Sequence, residues 1–273
     1  MFDDRQAGMT EAERTDVDDL SAPRARIIYE VIRRQGDEEL RRPIGSLFWS
    51  GLAAGITIMA SVIAEGALRH KLPAEMPMRQ VISDLGYTLG FLMVILGRMQ
   101  LFTEQTIVTV LPNMAAPGWR KLGVTARLWA VVFVANMLGT CVAAAITVHL
   151  HLMGRELTEA MLEVSGTLLH KAPLDMLLQG IPAGFLIASV AWIRAGVSGS
   201  EFWVILVLTY AIALGDFAHV VAGSAEAFLL LFVGQIGPGH AAVGIILPSL
   251  IGNVIGGTGL FALLAHAQVR QEI

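Results

Sequence analysis

Apolar residues fall in six runs, each long enough to cross a bilayer core of roughly 30 Å, which takes about 20 residues of helix. They cover Ile44 to Gly66, Ile82 to Pro112, Leu122 to Leu152, Met176 to Val197, Phe202 to Val233 and Ala241 to Ala265. The pattern predicts an all-α, multi-pass membrane protein with six spans and the lipid bilayer as its surroundings. The second and fifth runs carry polar residues near their middles: Arg98, Gln100, Thr103, Glu104 and Gln105 in one, Asp216, His219 and Glu226 in the other. In the fifth, Gly215-Asp-Phe-Ala-His219-Val-Val-Ala-Gly223 separates two apolar stretches, which predicts two short helices joined by a break at membrane depth. Non-helical backbone is tolerated there only where protein buries it or where it lines a water-filled cavity. An intramembrane histidine at such a break marks a solute pathway, the alternative being a core histidine satisfied by hydrogen bonds.

Outside the runs, Met1 to Ala22 mix acids, bases and small residues without periodicity, the composition of a disordered tail. Over residues 23–43, Ile27, Ile28, Val31 and Ile32 fall at helical spacing opposite Arg26, Glu30, Arg33 and Arg34. That is an amphipathic helix for the membrane surface or for the protein's own end. Residues 44–268 then form the six-helix unit. Lys and Arg concentrate on the cytoplasmic side of short loops. Arg41, Arg42, Arg120, Lys121, Arg127, Arg194 and Arg270 share one side, against Arg69, Lys71, Arg79, Arg155 and Lys171 on the other, so both termini are expected in the cytoplasm. No apolar leader precedes the first span, so no cleavable signal peptide is expected.

Composition narrows the class further. Hydrophobic residues make up 55% of the 273, charged ones 15%, and the mean hydropathy is +0.63; a soluble domain carries about a quarter charged residues. The net charge of -4 excludes a basic nucleic-acid surface, and the single Cys141 excludes an intrachain disulfide.

The two halves also resemble each other. Ala135-Asn136-Met-Leu-Gly139 in the third run matches Gly252-Asn253-Val-Ile-Gly256 in the sixth, and Thr103 and His219 precede these asparagines by similar distances. Three spans followed by three similar spans have opposite orientation. Such inverted repeats place a pathway at the repeat interface. Asn136 reads best as a helix-packing residue; for Asn253 packing and pathway roles are equally open.

Leu101-Phe102-Thr103, Trp129, Asn136, Phe217-Ala-His219 and Ile251-Gly-Asn253-Val-Ile-Gly256-Gly257, in this order, resemble the formate/nitrite transporter family from about Ile44 to the C-terminus. The resemblance implies a homopentamer in the bacterial inner membrane, with an aquaporin-like 3+3 architecture, interrupted second and fifth helices and a pore in every protomer. It implies a pathway at Thr103, His219 and Asn253, joined here by Glu104, an inner constriction of Leu101, Phe102 and Phe91, and an outer one at Tyr87 and Ile212. The substrate it implies is a small ion of the formate or nitrite kind, with no cofactor. Gln100, Glu104, Ala218 and Gly223 depart from the family pattern, and the outer-vestibule lysine has no secure counterpart, Lys171 being shifted and Leu168 nearer the place. The departures resemble a divergent, YfdC-like branch.

Chemically, an unpaired ion in an apolar constriction is costly, so an anion crosses best once neutralised. His219 could supply the proton or a positive field toward Thr103 and Asn253. Glu104, Asp216 and Glu226 instead favour cations if they face the pore, or they pair with Arg98 and helix N-termini. The Met residues are chiefly core fillers and define no metal site. A rival enzyme reading rests on Gly196-Val-Ser198-Gly199, which matches the Gly-x-Ser-Gly of rhomboid-type intramembrane proteases; their base is a histidine inside the last helix, where this chain has Asn253. A water channel would need Asn-Pro-Ala caps, which neither Asn136-Met137 nor Asn253-Val254 supplies.

Overall fold

The structure is a computed structural model and describes residues 10, 11 and 22–273. The expected tail therefore lies outside the described residues, except for Thr10, Glu11 and Ala22. Among the described residues the elements are helical. They are α1 Ala25–Arg41, α2 Ile44–Lys71, α3 Arg79–Leu96, α4 Phe102–Val108, α5 Leu111–Ala115 and α6 Trp119–His149, then α7 Arg155–Ser165, α8 Pro173–Gly196, α9 Glu201–Leu214, α10 Val220–Phe232 and α11 His240–Val269. A 3-10 segment, Asp84–Tyr87, lies within α3, and π-helical turns occupy His240–Ile246 and Ile255–Ala262 of α11.

Five helices, α2, α3, α6, α8 and α11, are long and apolar enough to cross a membrane. The fifth apolar run does not make one such helix because it divides into α9 and α10, of 14 and 13 residues. The second run divides likewise into α3 and α4. Both divisions are built in the same way. Gly97 and Gly215 close the first helix, and the next residues, Arg98 and Asp216, take left-handed φ values of 54° and 53°. The chain then bonds back, Met99 N–H to Val94 O and Phe217 N–H to Ile212 O, both at 3.0 Å. This is the Schellman arrangement, which satisfies helix-end carbonyls and forces the chain out of the helix.

Each break is held by an asparagine from the neighbouring long helix. Asn136 of α6 accepts from Phe102 N–H (2.9 Å) and donates to Gly51 O (2.8 Å) and Gln100 O (2.9 Å). Asn253 of α11 accepts from Val220 N–H (2.8 Å) and donates to Gly180 O (2.9 Å) and Ala218 O (2.8 Å). Breaking a helix in an apolar core strands its backbone groups, and these carboxamides satisfy them. They reach the breaks because small residues let the helices approach closely: a Cβ on Gly55 would collide with Asn136 O, and one on Gly184 with Asn253 O. The matched bonds make Leu101, not Thr103, the positional equivalent of His219.

Helix α1 buries Tyr29, Ile32, Gly36 and Leu40 against the protein's own end and leaves Ile27 outward. Its Tyr29 hydroxyl meets His266 Nδ1 of α11 at 2.7 Å. The described ends of the chain thus lie on one face.

Candidate functional site

Thr103, in the first turn of α4, and His219, immediately before α10, meet where the two breaks face each other. Thr103 Oγ1 and His219 Nε2 are 2.7 Å apart, and both residues are buried. His219 Nδ1 accepts the Ala222 backbone N–H at 3.2 Å, capping α10. Only a ring nitrogen with a free lone pair can accept that bond, so the neutral ring carries its proton on Nε2 and donates it to Thr103. The Thr103 hydroxyl hydrogen is then free for another acceptor. Phe91 packs edge-on against the imidazole with centroids 4.9 Å apart, and Tyr87, one turn along α3, lies 5.1 Å from Phe91.

A cavity opens on either side of this pair. On the α1 side, about 270 Å³ is lined by Glu38, Glu39, Arg98, Gln100, Glu104 and Arg194. Toward the other end of α2, about 60 Å³ is lined by Glu65, Asp84, Lys171, Asp216, His219 and Glu226, with Tyr87 and Ile212. Helix α2, 28 residues long, runs from one to the other: Ser50 near its start accepts from Gln100 N–H, and Glu65 lies near its end.

The residues singled out in the sequence separate into groups. Leu101 and Phe91 are wholly buried. Phe102 turns its ring onto Trp129 and Phe133 and lines an apolar side cavity of about 410 Å³, not either polar cavity. Asn253 has both amide hydrogens committed to backbone carbonyls, Ala218 O beside His219 and Gly180 O on α8, so it braces the break. Glu104 pairs with Arg194 at 3.0 Å, across 90 residues of sequence, rather than with Arg98. Asp216 pairs with Lys171 at 2.9 Å. Glu226, for which pairing with Arg98 or a helix N-terminus was one of the two expectations, has no hydrogen-bond or ion-pair partner among the described residues. Glu65 and Asp84, not singled out in the sequence, line the same cavity; an acid inside the first apolar run was the available signal. Ser198 lies in an exposed turn, and among the described residues no hydrogen bond joins it to a histidine, so no protease dyad forms.

Two interrupted helices closing on a hydroxyl–imidazole pair, beside five helices long and apolar enough to cross a membrane, define a multi-pass helical membrane protein. Residues 26–267 match the family described as Formate/nitrite transporter, and the chain belongs to that family. It is similar to the inner membrane protein YfdC of Escherichia coli (strain K12), 37% identical over 96% of this chain and 84% of that protein. It is also similar to the uncharacterized transporter YrhG of Bacillus subtilis (strain 168), 26% identical over 88% of this chain and 92% of the relative. Among solved structures, a pentameric formate channel with formate bound superposes with a TM-score of 0.71 at 18% identity, covering 84% of this chain and 98% of that one. An FNT family ion channel gives a TM-score of 0.75 at 16% identity, over 88% and 98%.

Proposed function

We propose that the chain conducts a small monovalent ion between the two cavities, past the Thr103–His219 pair. The observation that carries the proposal is the 2.7 Å bond that ties the two broken helices together between two polar cavities. The six apolar runs form a 3+3 inverted repeat whose second and fifth spans are interrupted, a reading supported by the matched Schellman ends and asparagine braces. Five copies assemble in the bacterial inner membrane, each with its own pathway and with both termini cytoplasmic. The pentameric formate channel of similar fold, the inner-membrane relative and the shared face of the two chain ends support this arrangement.

Leu101 and Phe91 narrow the path at the pair, Phe102 backs Leu101 from the side, and Tyr87 and Ile212 narrow the outer approach. Formate and nitrite are the substrates that the family description names. On the weak-acid reading, a proton from solvent first reaches Nδ1, which gives up the Ala222 bond, and the imidazolium so formed passes its Nε2 proton through the Thr103 hydroxyl to the anion; the ring is left neutral and the neutral acid crosses the apolar segment. A second reading, a small cation, is favoured by the carboxyl groups of the outer cavity. Uptake of formate, nitrite and small cations into proteoliposomes tests the pathway. His219→Leu should abolish whichever uptake the parent shows, and unchanged uptake would make the histidine structural.

A further inference from the structure

The far cavity has an unusual set of walls. Glu65 comes from α2, Asp84 from α3, Lys171 from the segment before α8, Asp216 from the break after α9, and His219 and Glu226 from the start and middle of α10. Four carboxyl groups thus face one ammonium and one neutral imidazole. Lys171 does not balance them, because its Nζ is held by the Asp216 carboxylate at 2.9 Å and by Asp216 O at 2.7 Å. Asp84 accepts from Gln80 at 2.6 Å. The nearby Arg69 turns away to Glu163, at 3.0 Å, and to Gln80. Glu65 and Glu226 remain. Their exposures are 6% and 9%, they line the cavity, and among the described residues neither has a hydrogen-bond or ion-pair partner.

We infer that this cavity is a binding site for a small monovalent cation, an alkali-metal ion or ammonium, held between Glu65 and Glu226 next to His219. The inference rests on the pathway reading and names the charge of its substrate. Neither carboxyl group is sealed off without a partner, as the side-chain oxygens of Gln105, Asn113 and Gln179 are; each opens onto the cavity, where a ligand can complete it. Among the described residues no three His, Cys, Asp or Glu side chains converge on one point, so the site does not chelate a divalent metal; it suits a partly hydrated ion held by the field of the walls. A volume of about 60 Å³ has room for such an ion with a few waters.

The same electrostatics help a cation and leave a weak acid unaided. A cleft lined by negative groups raises the local concentration of cations and lowers that of anions. For a weak acid the local proton concentration rises by the factor by which its anion falls, so the supply of neutral acid is unchanged. Only a cation gains, as it does at the acidic rings of cation channels.

The test uses the purified full-length protein. In detergent, rubidium chloride should raise the unfolding temperature relative to choline chloride. That shift should disappear in E65Q/E226Q, which keeps the side-chain shapes, and persist in E159Q on the surface of α7. In proteoliposomes under a salt gradient, rubidium should set the sign of the reversal potential, and E65Q/E226Q should lower rubidium uptake by about tenfold or more. Absence of a rubidium-specific shift, or a reversal potential set by formate, overturns the inference while leaving the pathway standing. A shift that depends on Glu65 and Glu226 without any ion uptake supports the site and overturns the pathway reading.

Discussion

Replacing Asn253 by Ala removes three buried hydrogen bonds and the amide that bridges α8, α11 and the break before α10. Gly180, in the middle of α8, keeps its helical role. Val220 N–H, which stands at a helix start, and Ala218 O, in the break, lose the partner that Asn253 gives them. An unsatisfied buried backbone group costs about 1–3 kcal/mol, so the pair is worth about 2–6 kcal/mol. Water entering the vacated space relieves part of this, which brings the expected loss to about 3 kcal/mol. Asn136→Ala strands Phe102 N–H and Gln100 O in the same manner and should cost a similar amount. Each variant loosens the backbone that carries one member of the pair, Thr103 after Phe102 or His219 before Val220, so both should lower ion uptake beyond what their stability loss explains. Unfolding of each variant in detergent, alongside uptake in proteoliposomes, reads both quantities. If Asn253→Ala unfolds within about 0.5 kcal/mol of the parent, the range of an inconsequential surface change, the bracing argument is wrong.

Three further outcomes follow from the geometry. Arg194→Met leaves the Glu104 carboxylate buried without its partner and should cost about 3–5 kcal/mol, much of it regained in E104Q/R194M, as measured by unfolding of the single and double variants. Gly184→Ala places a methyl group against the Asn253 carbonyl, forcing α8 from α11 at about 1–3 kcal/mol in the same assay. On α1, Arg33 and Arg34 hold the Glu30 carboxyl down to about 2, so its contribution to the helix is complete above the ordinary carboxylate range and is lost as pH falls toward 2. Amide exchange along α1 should therefore accelerate only in that acidic window, and more steeply in the parent than in Glu30→Gln.

The apolar runs were legible because bilayer-crossing helices need length and hydropathy, and both are local properties of the chain. The breaks were legible too, since polar residues in mid-run and a Gly before Asp216 are local signals. What lay between the elements was not. Thr103 and His219 are 116 residues apart, and only the family resemblance put them together. The Glu104–Arg194 pair was hidden because Arg194 sits at the end of an apolar run and reads as a loop charge. Glu65 was passed over for a similar reason: it is the last residue but one of its predicted span, where an acid is ordinarily an interface residue. The equivalence of Leu101 with His219 needed the hydrogen bonds of both asparagines, because matching tripeptides by spacing alone slips the register.

The account's central claim, that ions pass the Thr103–His219 pair, is tested most directly by ion uptake in Thr103→Val proteoliposomes. Valine keeps the side chain's shape and removes the hydroxyl, leaving the buried His219 Nε2–H without its partner, so the protein should still assemble at a stability cost of about 1–3 kcal/mol. Loss of one hydrogen bond of about 1.5 kcal/mol at the barrier predicts uptake reduced about tenfold. Uptake equal to that of the parent would contradict the account.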